Sequence, residues 1–225
     1  MNKPTPRYKG LILDFGGVIA RSFFETADDF GKLLGLAEGA LRWRGPFDPP
    51  SDPLWRGVLT GEITEAEYWA RRAAEVGTLI GERWTFRDFC RRQNDLAFAD
   101  VIRPEAEQLI AHAKQEGIKL AVLTNELESL TGPDWIASIP IVRLFDAFVD
   151  ATHTQIAKPD PRAYRLALEA LRLQAEEAIF IDDQIKNIRG AEAVGIRSIH
   201  LDICDPNTAF DVAYALLGLK SLTRN

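Results

Sequence analysis

The sequence is poor in cysteine and has no long apolar run, and each shortage argues against a class of protein. Only two cysteines occur among the 225 residues, Cys90 and Cys204, and they lack the close spacing of a metal-binding or redox motif. The N-terminal residues lack the apolar core of a secretory signal, and no stretch approaches the ~18 apolar residues of a membrane span. We therefore expect a soluble, cytoplasmic protein with two reduced, buried thiols.

Basic residues are also too few for a general polyanion-binding surface. The chain carries 27 Lys and Arg against 33 Asp and Glu, which gives a net charge of −6. We therefore expect neither nucleic acid nor a membrane as partner, although a local basic pocket for phosphate is compatible with this charge. The length allows one large domain, or a core domain with a smaller inserted one.

Five short apolar runs have the character of buried parallel strands. Such strands are covered on both faces and therefore consist of continuous Val, Ile and Leu rather than alternating residues. Helical patterns over 104–114, 160–171 and 187–194 separate the later runs, which favours a right-handed β-α-β array. The five predicted strands are Gly10–Asp14, Lys119–Thr124, Ala147–Ala151, Ala178–Asp182 and Arg197–Leu201.

The segment from residue 23 to residue 98 interrupts this alternation, because it is helical in pattern and contains no convincing strand. Thr64 and Glu67 form a capping-box pattern, Thr85 begins a further helix, and four of the five tryptophans lie in the segment. We expect irregular loops over the proline-rich stretch 45–53 and over residues 126–140. We predict an α/β core domain of residues 1–22 and 99–225, with a helical domain of residues 23–98 inserted after the first strand.

Acidic residues follow two of the predicted strands. Asp14 ends the first run and is followed by Gly16 and Gly17, while Asp182 and Asp183 end the fourth run. Ligands of open α/β sheets bind at the carboxyl ends of the strands. Carboxylates that meet there repel each other unless a cation lies between them, and oxygen ligands of this kind suit Mg²⁺. The pattern therefore predicts a Mg²⁺-dependent enzyme that acts on a small phosphorylated metabolite.

Four motifs in this order resemble the haloacid dehalogenase-like hydrolase superfamily, in its subfamily I branch with a helical cap between the first and second strands. The Asp-x-Gly form of the first motif resembles that of sugar-phosphate phosphatases. The resemblance implies a Rossmann-like, doubly wound parallel sheet with strand order 5-4-1-2-3. The motifs are Leu13 to Val18, Val122 to Asn125, Lys158 to Pro161, and Phe180 to Asp183 followed by Asn187 and Gly195.

The resemblance also implies a role for each motif residue. Asp14 would attack phosphorus and form an aspartyl-phosphate that water then hydrolyses. Asp182 and Asp183 would bind Mg²⁺, one directly and the other directly or through water, with Asp14 and the Gly16 carbonyl as further ligands. The phosphate-binding groups would be the backbone amides of Gly16 and Gly17, the Thr124 hydroxyl, the Asn125 backbone N–H and the Lys158 ammonium group.

Other interpretations of these residues remain open from the sequence. One of the two acidic residues at 182 and 183 could cap the helix that follows, and Asn187 could orient the acidic loop or be a surface amide. His112, His153 and His200 have no metal-binding spacing. We expect His112 and His200 to be structural, and His153 to lie near the mouth of the site.

The sequence departs from typical family phosphatases at position 16. Those enzymes have a second Asp there, which protonates the leaving oxygen and then activates water, whereas this chain has Gly16. Losing such a group typically costs roughly 10²–10⁴-fold in rate. The first hypothesis is a phosphatase that obtains the proton from water or a cap residue, or acts on a good leaving group.

Two further hypotheses follow from the same departure. A metal-independent 2-haloacid dehalogenase would not need the second Asp, because halide leaves without a proton, and Arg21 or Arg42 would bind the substrate anion. The protein could also bind a phosphorylated ligand without catalysis. The retained acidic pair weighs against the dehalogenase, and the cost of unused buried charges weighs against a non-enzyme.

Overall fold

The computed structural model describes residues 8–220 and contains a five-stranded, fully parallel sheet. The strand order is β3-β2-β1-β4-β5, which is the predicted order 5-4-1-2-3 read from the other edge. The predicted strands are confirmed, but β1, β3 and β5 each end one residue earlier than expected. The strands are β1 Gly10–Leu13, β2 Lys119–Thr124, β3 Ala147–Asp150, β4 Ala178–Asp182 and β5 Arg197–His200.

The helices of the core pack on both faces of this sheet. Alternate residues of β1 point to opposite sides, so that Leu13 packs with Leu109 and Phe210 on one face. On the other face, Ile12 packs with Tyr164 and Ile188. The sheet is therefore doubly wound, as predicted. The helices concerned are α6 Pro104–Gln115, α10 Pro161–Leu171, α11 Ile185–Ala193 and α12 Pro206–Leu217.

Five helices lie between β1 and α6, and they share a third apolar cluster. The cluster is rich in aromatic rings, among them the fully buried Trp43, Tyr68 and Phe89. The division of the chain at residues 22 and 98 stays a prediction, and we call the segment 23–98 the helical insertion. The five helices are α1 Ala27–Leu33, α2 Pro53–Thr60, α3 Glu65–Leu79, α4 Phe86–Gln93 and α5 Phe98–Val101.

The helix starts predicted in the insertion are confirmed by their capping geometry. The Thr64 side chain accepts a hydrogen bond from the Glu67 backbone, and Glu67 accepts one from the Thr64 backbone at 2.7 Å. Thr85 and Asp88 make the same reciprocal pair at the start of α4. Each pair satisfies backbone donors that a helix N-terminus would otherwise leave without partners.

Two segments that were expected to be irregular are partly regular. The proline-rich stretch contains 3₁₀ helices over Gly45–Phe47 and Pro49–Ser51, because proline fixes a φ angle that suits such turns. The segment after β2, expected to be a loop, forms α7 Leu127–Thr131 and α8 Pro133–Ser138. Of the two free cysteines, Cys90 is buried as expected, whereas Cys204 is exposed in the loop before α12.

Three further short elements lie between β2 and β4. A 3₁₀ helix covers Pro140–Leu144 before β3, and α9 Ala151–Thr154 follows β3 directly. A further 3₁₀ helix, Ala175–Glu177, precedes β4. Over residues 8–220, no helix combines the length and the apolar character needed to cross a membrane.

Candidate active site

The three acidic residues singled out in the sequence meet at the carboxyl end of the sheet. Pairing of β1 with β4 places Leu13 beside Ile181, so the next residues along the two strands are Asp14 and Asp182. One carboxylate oxygen from each of Asp14, Asp182 and Asp183 lies within 4.8 Å of the others. Residues that are 168 positions apart in the chain are thus gathered by strand pairing alone.

Lys158 lies between two of these carboxylates. Its Nζ is 2.9 Å from Asp14 Oδ1 and 2.6 Å from Asp182 Oδ2, and its side chain is only 1% exposed. Burial opposes the charged form of Lys158, but attraction by Asp14 and Asp182 outweighs it and raises the pKa of the ammonium group. The lysine therefore carries a fixed positive charge beside the predicted nucleophile.

One ammonium group does not balance three carboxylates. Burial raises the pKa of Asp14 to about 6, with Lys158 opposing and Asp182 adding to the shift. Burial, followed by the charges of Asp14, Asp182 and Glu65, raises the pKa of Asp183 well above its usual range. A cation placed among these oxygens would relieve that repulsion, and an all-oxygen donor set fits a hard ion such as Mg²⁺.

The two residues of the acidic pair have different surroundings. Asp182 is fully buried, and its oxygens accept hydrogen bonds from the Gln184 backbone at 2.8 Å and from Asn187 Nδ2 at 3.0 and 3.1 Å. Within residues 8–220, the Asp183 carboxylate has no hydrogen-bonding partner, and it is partly exposed. Asp183 thus has free oxygens for a ligand, whereas Asp182 is already held by its neighbours.

These contacts settle two of the open interpretations. Gln184, and neither acidic residue, occupies the N-cap of α11, so the helix-capping alternative is wrong. Asn187 is buried at 1% exposure and donates to both oxygens of Asp182, so it is not a surface amide. Its position fits the predicted orienting contact with the acidic loop.

Thr124 and Asn125 follow each other at the end of β2. The Thr124 residue is 7% exposed, and its hydroxyl has no hydrogen-bonding partner in the described part of the chain. The Asn125 side chain accepts from the Lys158 backbone N–H at 2.7 Å and donates to the Lys158 carbonyl at 3.1 Å. From the sequence we expected only the backbone N–H of Asn125 to take part. This clamp of the Lys158 backbone by the Asn125 side chain was not predicted, because no local sequence pattern links positions 125 and 158.

The glycine turn after Asp14 is shaped by close contact with the acidic pair. Gly17 has a φ of 76°, and a Cβ atom there would overlap the Asp183 carboxylate, so only glycine fits. Gly16 is exposed, and no heavy atom lies within 4 Å of the place where its Cβ would be. The space that a second carboxylate would fill in family phosphatases is therefore open.

A buried arginine that the sequence did not reveal supports this turn. Arg103 Nη2 donates to the Gly17 carbonyl at 3.0 Å, and the guanidinium group binds both oxygens of Glu25 at 2.8 Å. Arg103 is 2% exposed. Neither residue belongs to a motif, and an isolated Arg or Glu is usually solvent-exposed, so no sequence signal pointed to the pair.

The remaining polar candidates have other partners. Arg21 Nη1 donates to the Asp100 carbonyl at 3.3 Å, and Arg42 Nε donates to the Gly39 carbonyl at 3.3 Å. Both distances mark weak contacts, and neither arginine has a hydrogen bond or ion pair with Asp14 within residues 8–220. The structure therefore gives no particular support to the anion-binding role that a dehalogenase would need.

The three histidines lie apart from one another. His153 is exposed, and its hydrogen bond to Glu128 at 2.8 Å raises its pKa. His200 Nε2 lies 2.9 Å from the Asp183 carbonyl oxygen, and the His112 ring packs on Tyr214. The expected structural roles of His112 and His200 fit these contacts, and the place of His153 near the mouth of the site stays a prediction.

Comparison with known proteins identifies the class to which this fold and site belong. Residues 8–195 match the family model of haloacid dehalogenase-like hydrolases. The chain therefore belongs to the haloacid dehalogenase-like hydrolase family.

Three curated relatives extend this result. The chain is 31% identical to acyl-CoA dehydrogenase family member 10 of Mus musculus, over 94% of this chain and 19% of that protein. It is 35% identical to a phosphoserine phosphatase of Thermus thermophilus, over 73% of this chain and 58% of that protein. It is 31% identical to phosphatase MT3486 of Mycobacterium tuberculosis, over 85% of this chain and 86% of that protein. The chain thus spans less than two thirds of the first two relatives.

A solved structure supports the same fold. The HAD-hydrolase YfnB of Bacillus subtilis, determined with bound magnesium, superposes with a TM-score of 0.68 at 16% sequence identity. The match covers 95% of this chain and 100% of YfnB. At this level of identity the likeness concerns the fold.

Proposed function

We propose that this protein is a Mg²⁺-dependent phosphatase that hydrolyses a small phosphorylated metabolite through an aspartyl-phosphate at Asp14. The observation that carries the proposal is the contact of Lys158 with Asp14 and Asp182, beside the unpaired carboxylate of Asp183. Phosphoryl transfer depends mainly on positioning and on neutralising charge, and this arrangement supplies both.

Asp14 is placed to act as the nucleophile. The Phe15 backbone N–H donates to Asp14 Oδ1 at 2.7 Å and Lys158 holds the same oxygen, so the carboxylate is fixed in orientation. The second oxygen, Oδ2, would attack phosphorus. The P–O bond to the leaving group then breaks, and a water molecule later cleaves the P–O bond to Asp14 and restores the carboxylate.

The phosphoryl group would be bound by donors around Asp14. The unpartnered hydroxyl of Thr124 would donate to one phosphoryl oxygen, and the backbone amides of Gly16, Gly17 and Asn125 would donate to others. Lys158 would balance the negative charge shared by the nucleophile and the phosphate. The Asn125 clamp on the Lys158 backbone keeps this lysine in place.

The metal ligands would be the carboxylates of Asp14 and Asp183 and the carbonyl of Gly16. Asp182 would contribute through a water molecule, because its own oxygens already bind Lys158, Gln184 and Asn187. When bound, Mg²⁺ supplies positive charge that offsets the charge of the phosphoryl oxygens and of the three carboxylates.

The proposed substrate class rests on the relatives and on the absence of a second acidic side chain at position 16. Two of the relatives named above are phosphatases, and a phosphoserine phosphatase acts on a small phosphate monoester. Position 16 offers no proton to the leaving oxygen, so a sugar phosphate with a good leaving group suits the site better than a simple alkyl phosphate. We therefore name a sugar phosphate as the first substrate class to test.

The testing experiment measures phosphate release from p-nitrophenyl phosphate and a panel of sugar phosphates, with Mg²⁺ and with EDTA. We expect turnover in Mg²⁺ that EDTA abolishes. Asp14→Asn should remove turnover, because an amide does not attack phosphorus, while Asp48→Asn, which changes an exposed Asp in the same way, should keep it.

Two outcomes would contradict the proposal. No release of phosphate from any ester by the folded wild-type protein would leave the non-catalytic, ligand-binding alternative. Release of halide from a 2-haloacid in the presence of EDTA would instead establish the dehalogenase.

A further inference from the structure

A cavity lies where the helical insertion meets the core, apart from the acidic cluster. Its volume is about 560 Å³, which is in the range of pockets that hold a small organic molecule. The lining comes from residues between 21 and 47 and from the starts of α6 and α12. Asp14, Lys158, Asp182 and Asp183 do not line it. The cavity is therefore distinct from the candidate active site.

Three arginines bring positive charge to this cavity. Arg21, Arg44 and Arg103 line it together with the carboxylates of Glu25 and Glu105. Glu25 already binds Arg103 through both of its oxygens, at 2.8 Å. Within residues 8–220, Arg44 has neither a hydrogen bond nor an ion pair, and the Arg21 side chain makes one weak hydrogen bond at 3.3 Å. With three arginines against two carboxylates, the lining carries one positive charge in excess.

Two buried donors of the lining have no partner. Arg103 is 2% exposed, and over residues 8–220 its Nε–H finds no acceptor, although Nη1 and Nη2 are bound. The indole Nε1–H of the fully buried Trp43 also lacks an acceptor in this part of the chain. Both side chains line the cavity. A buried donor without a partner is costly, and an oxygen of a bound ligand would supply the missing acceptor.

The starts of two helices add to the positive character of the cavity. Glu105 lies in the first turn of α6 and Pro206 is the first residue of α12, and both line the cavity. Neither helix has a side chain that caps its first backbone N–H groups. The partial positive charge at such helix ends favours an anion nearby. The arginines and the helix ends thus favour a ligand of the same sign.

Aromatic rings form the apolar part of the wall. Phe24, Trp43 and Phe47 line the cavity, and Phe47 is 45% exposed although it is a large apolar side chain. Aromatic side chains offer flat apolar faces and edges on which another ring system packs well. The lining therefore suits a molecule with an anionic group at one end and an aromatic ring system at the other.

We propose that this cavity is a second ligand site, which binds a small organic anion with a carboxylate or phosphonate-like group on an aromatic ring system. The anionic group would accept hydrogen bonds from the guanidinium groups of Arg21 and Arg44, and the rings would pack on Phe24 and Phe47. This inference goes beyond the proposed phosphatase function and does not depend on it, because the acidic cluster takes no part in the site.

The first test measures the affinity of the whole protein for three probes by isothermal titration calorimetry in EDTA. The probes are 1-naphthoate, 1-naphthylphosphonate and the uncharged 1-naphthamide, which share one ring system. We expect at least one of the two anions to bind with a stoichiometry of one, and the amide to bind at least about tenfold more weakly, because hydrogen bonds to a charged acceptor are the stronger ones. Equal affinity for the amide, or binding of neither anion, would overturn the inference.

The second test locates the bound anion with arginine variants. Arg44→Met should weaken binding of the anion by about tenfold, and Arg21→Met should also weaken it. Arg42→Met, two residues before Arg44 at an exposed position outside the lining, should bind like the wild type. Arg44 is itself exposed, so its variant should melt at the wild-type temperature. Wild-type affinity in both Arg21→Met and Arg44→Met, or an equal loss in Arg42→Met, would contradict the proposed site.

The third test separates this cavity from the candidate active site. Thr124→Val and Lys158→Met change phosphate-binding groups of the active site, and neither residue lines the cavity. We expect both variants to bind the naphthyl anion with wild-type affinity. Loss of binding in Thr124→Val, with binding kept in Arg44→Met, would place the anion at the active site and overturn the inference. None of these titrations requires turnover, so they remain informative whether or not the protein is a phosphatase.

Discussion

At the residue scale, the contacts of Lys158 matter most for the proposed function of the site. It is almost fully buried and contacts two carboxylates, and the Asn125 side chain clamps its backbone. A buried ammonium group is costly unless it is paired, so these contacts hold both its charge and its position. The sequence motif marked Lys158 as a phosphate ligand, but its two acidic partners come from other strands.

Replacing Lys158 by Met should lower phosphatase turnover by roughly 10²–10³-fold, because a preorganised positive charge beside the phosphoryl group is lost. The pKa of Asp14 should also rise, since Lys158 opposes the effect of burial on that carboxyl group. The acidic limb of the pH–rate profile should therefore move to higher pH. Lys186→Met, at an exposed lysine of α11, is the matched control. Equal turnover in the two variants would contradict a role for Lys158.

At the scale of elements, one buried carboxylate joins several segments of the helical insertion. Asp52 caps α2 through the Trp55 backbone at 3.0 Å, and it accepts from Tyr68 Oη at 2.7 Å and Arg72 Nη2 at 2.6 Å on α3. It also accepts from the Gly45 backbone at 3.2 Å. Asp52 thus joins the proline-rich stretch, α2 and α3, the helix that begins at Glu65.

Asp52→Asn should destabilise the protein by about 1–3 kcal/mol, because the largely buried Arg72 loses one of its two carboxylate partners and keeps only Glu75. Asp48→Asn, at an exposed position four residues earlier, should change stability by less than about 0.5 kcal/mol. The free energy of unfolding is measured in urea for both variants. A similar small loss in both would show that the network around Asp52 does not stabilise the insertion.

At the scale of elements, some sequence patterns were sufficient to predict where a helix begins. Capping boxes at Thr64 and Thr85 are local, and both helices begin where the pattern indicated. The segment after β2 was expected to be a loop but forms α7 and α8. These helices have 5 and 6 residues and are too short to show a periodic sequence pattern. Helix α7 packs on α4 of the insertion, and Asn94 at the end of α4 donates to the Thr131 carbonyl at 2.8 Å. Their formation depends on such tertiary contacts.

At the scale of the whole molecule, the carboxylate cluster should make stability depend on pH and on Mg²⁺. The folded state raises the pKa of Asp14 from 3.8 to about 6 and raises that of Asp183 as well, so it binds protons more readily than the unfolded chain. In EDTA, the contribution of these groups to stability is therefore greatest below pH 4 and is lost as the pH rises through about 6.

Mg²⁺ at neutral pH should raise the melting temperature, because a ligand that binds only the folded state stabilises it, by about 2.7 kcal/mol at 100 times its Kd. Asp183→Asn should remove most of the Mg²⁺ effect and melt at a higher temperature than the wild type in EDTA at pH 7. Thermal melts with Mg²⁺ and with EDTA test this, with Asp202→Asn, at an exposed Asp, as the control. A Mg²⁺ shift of the same size in Asp183→Asn would contradict metal binding at this residue.

The sequence by itself determined the class of fold and the position of the candidate site. Continuous apolar runs and helix-capping patterns are local signals, so the five strands and most of the helices were predictable from neighbouring residues. Parallel strands bring their carboxyl ends together, which made the meeting of Asp14 with Asp182 and Asp183 predictable as well.

Only the tertiary structure decided which partners each residue of the site contacts. The contact of Lys158 with Asp182, the clamp by Asn125 and the support of Gly17 by Arg103 join residues 24, 33 and 86 positions apart. The structure also distinguished Asp182, whose oxygens are satisfied, from Asp183, whose carboxylate has no hydrogen-bonding partner within residues 8–220. Side-chain partners of this kind depend on the packing of whole elements against one another, and no local pattern in the chain encodes them.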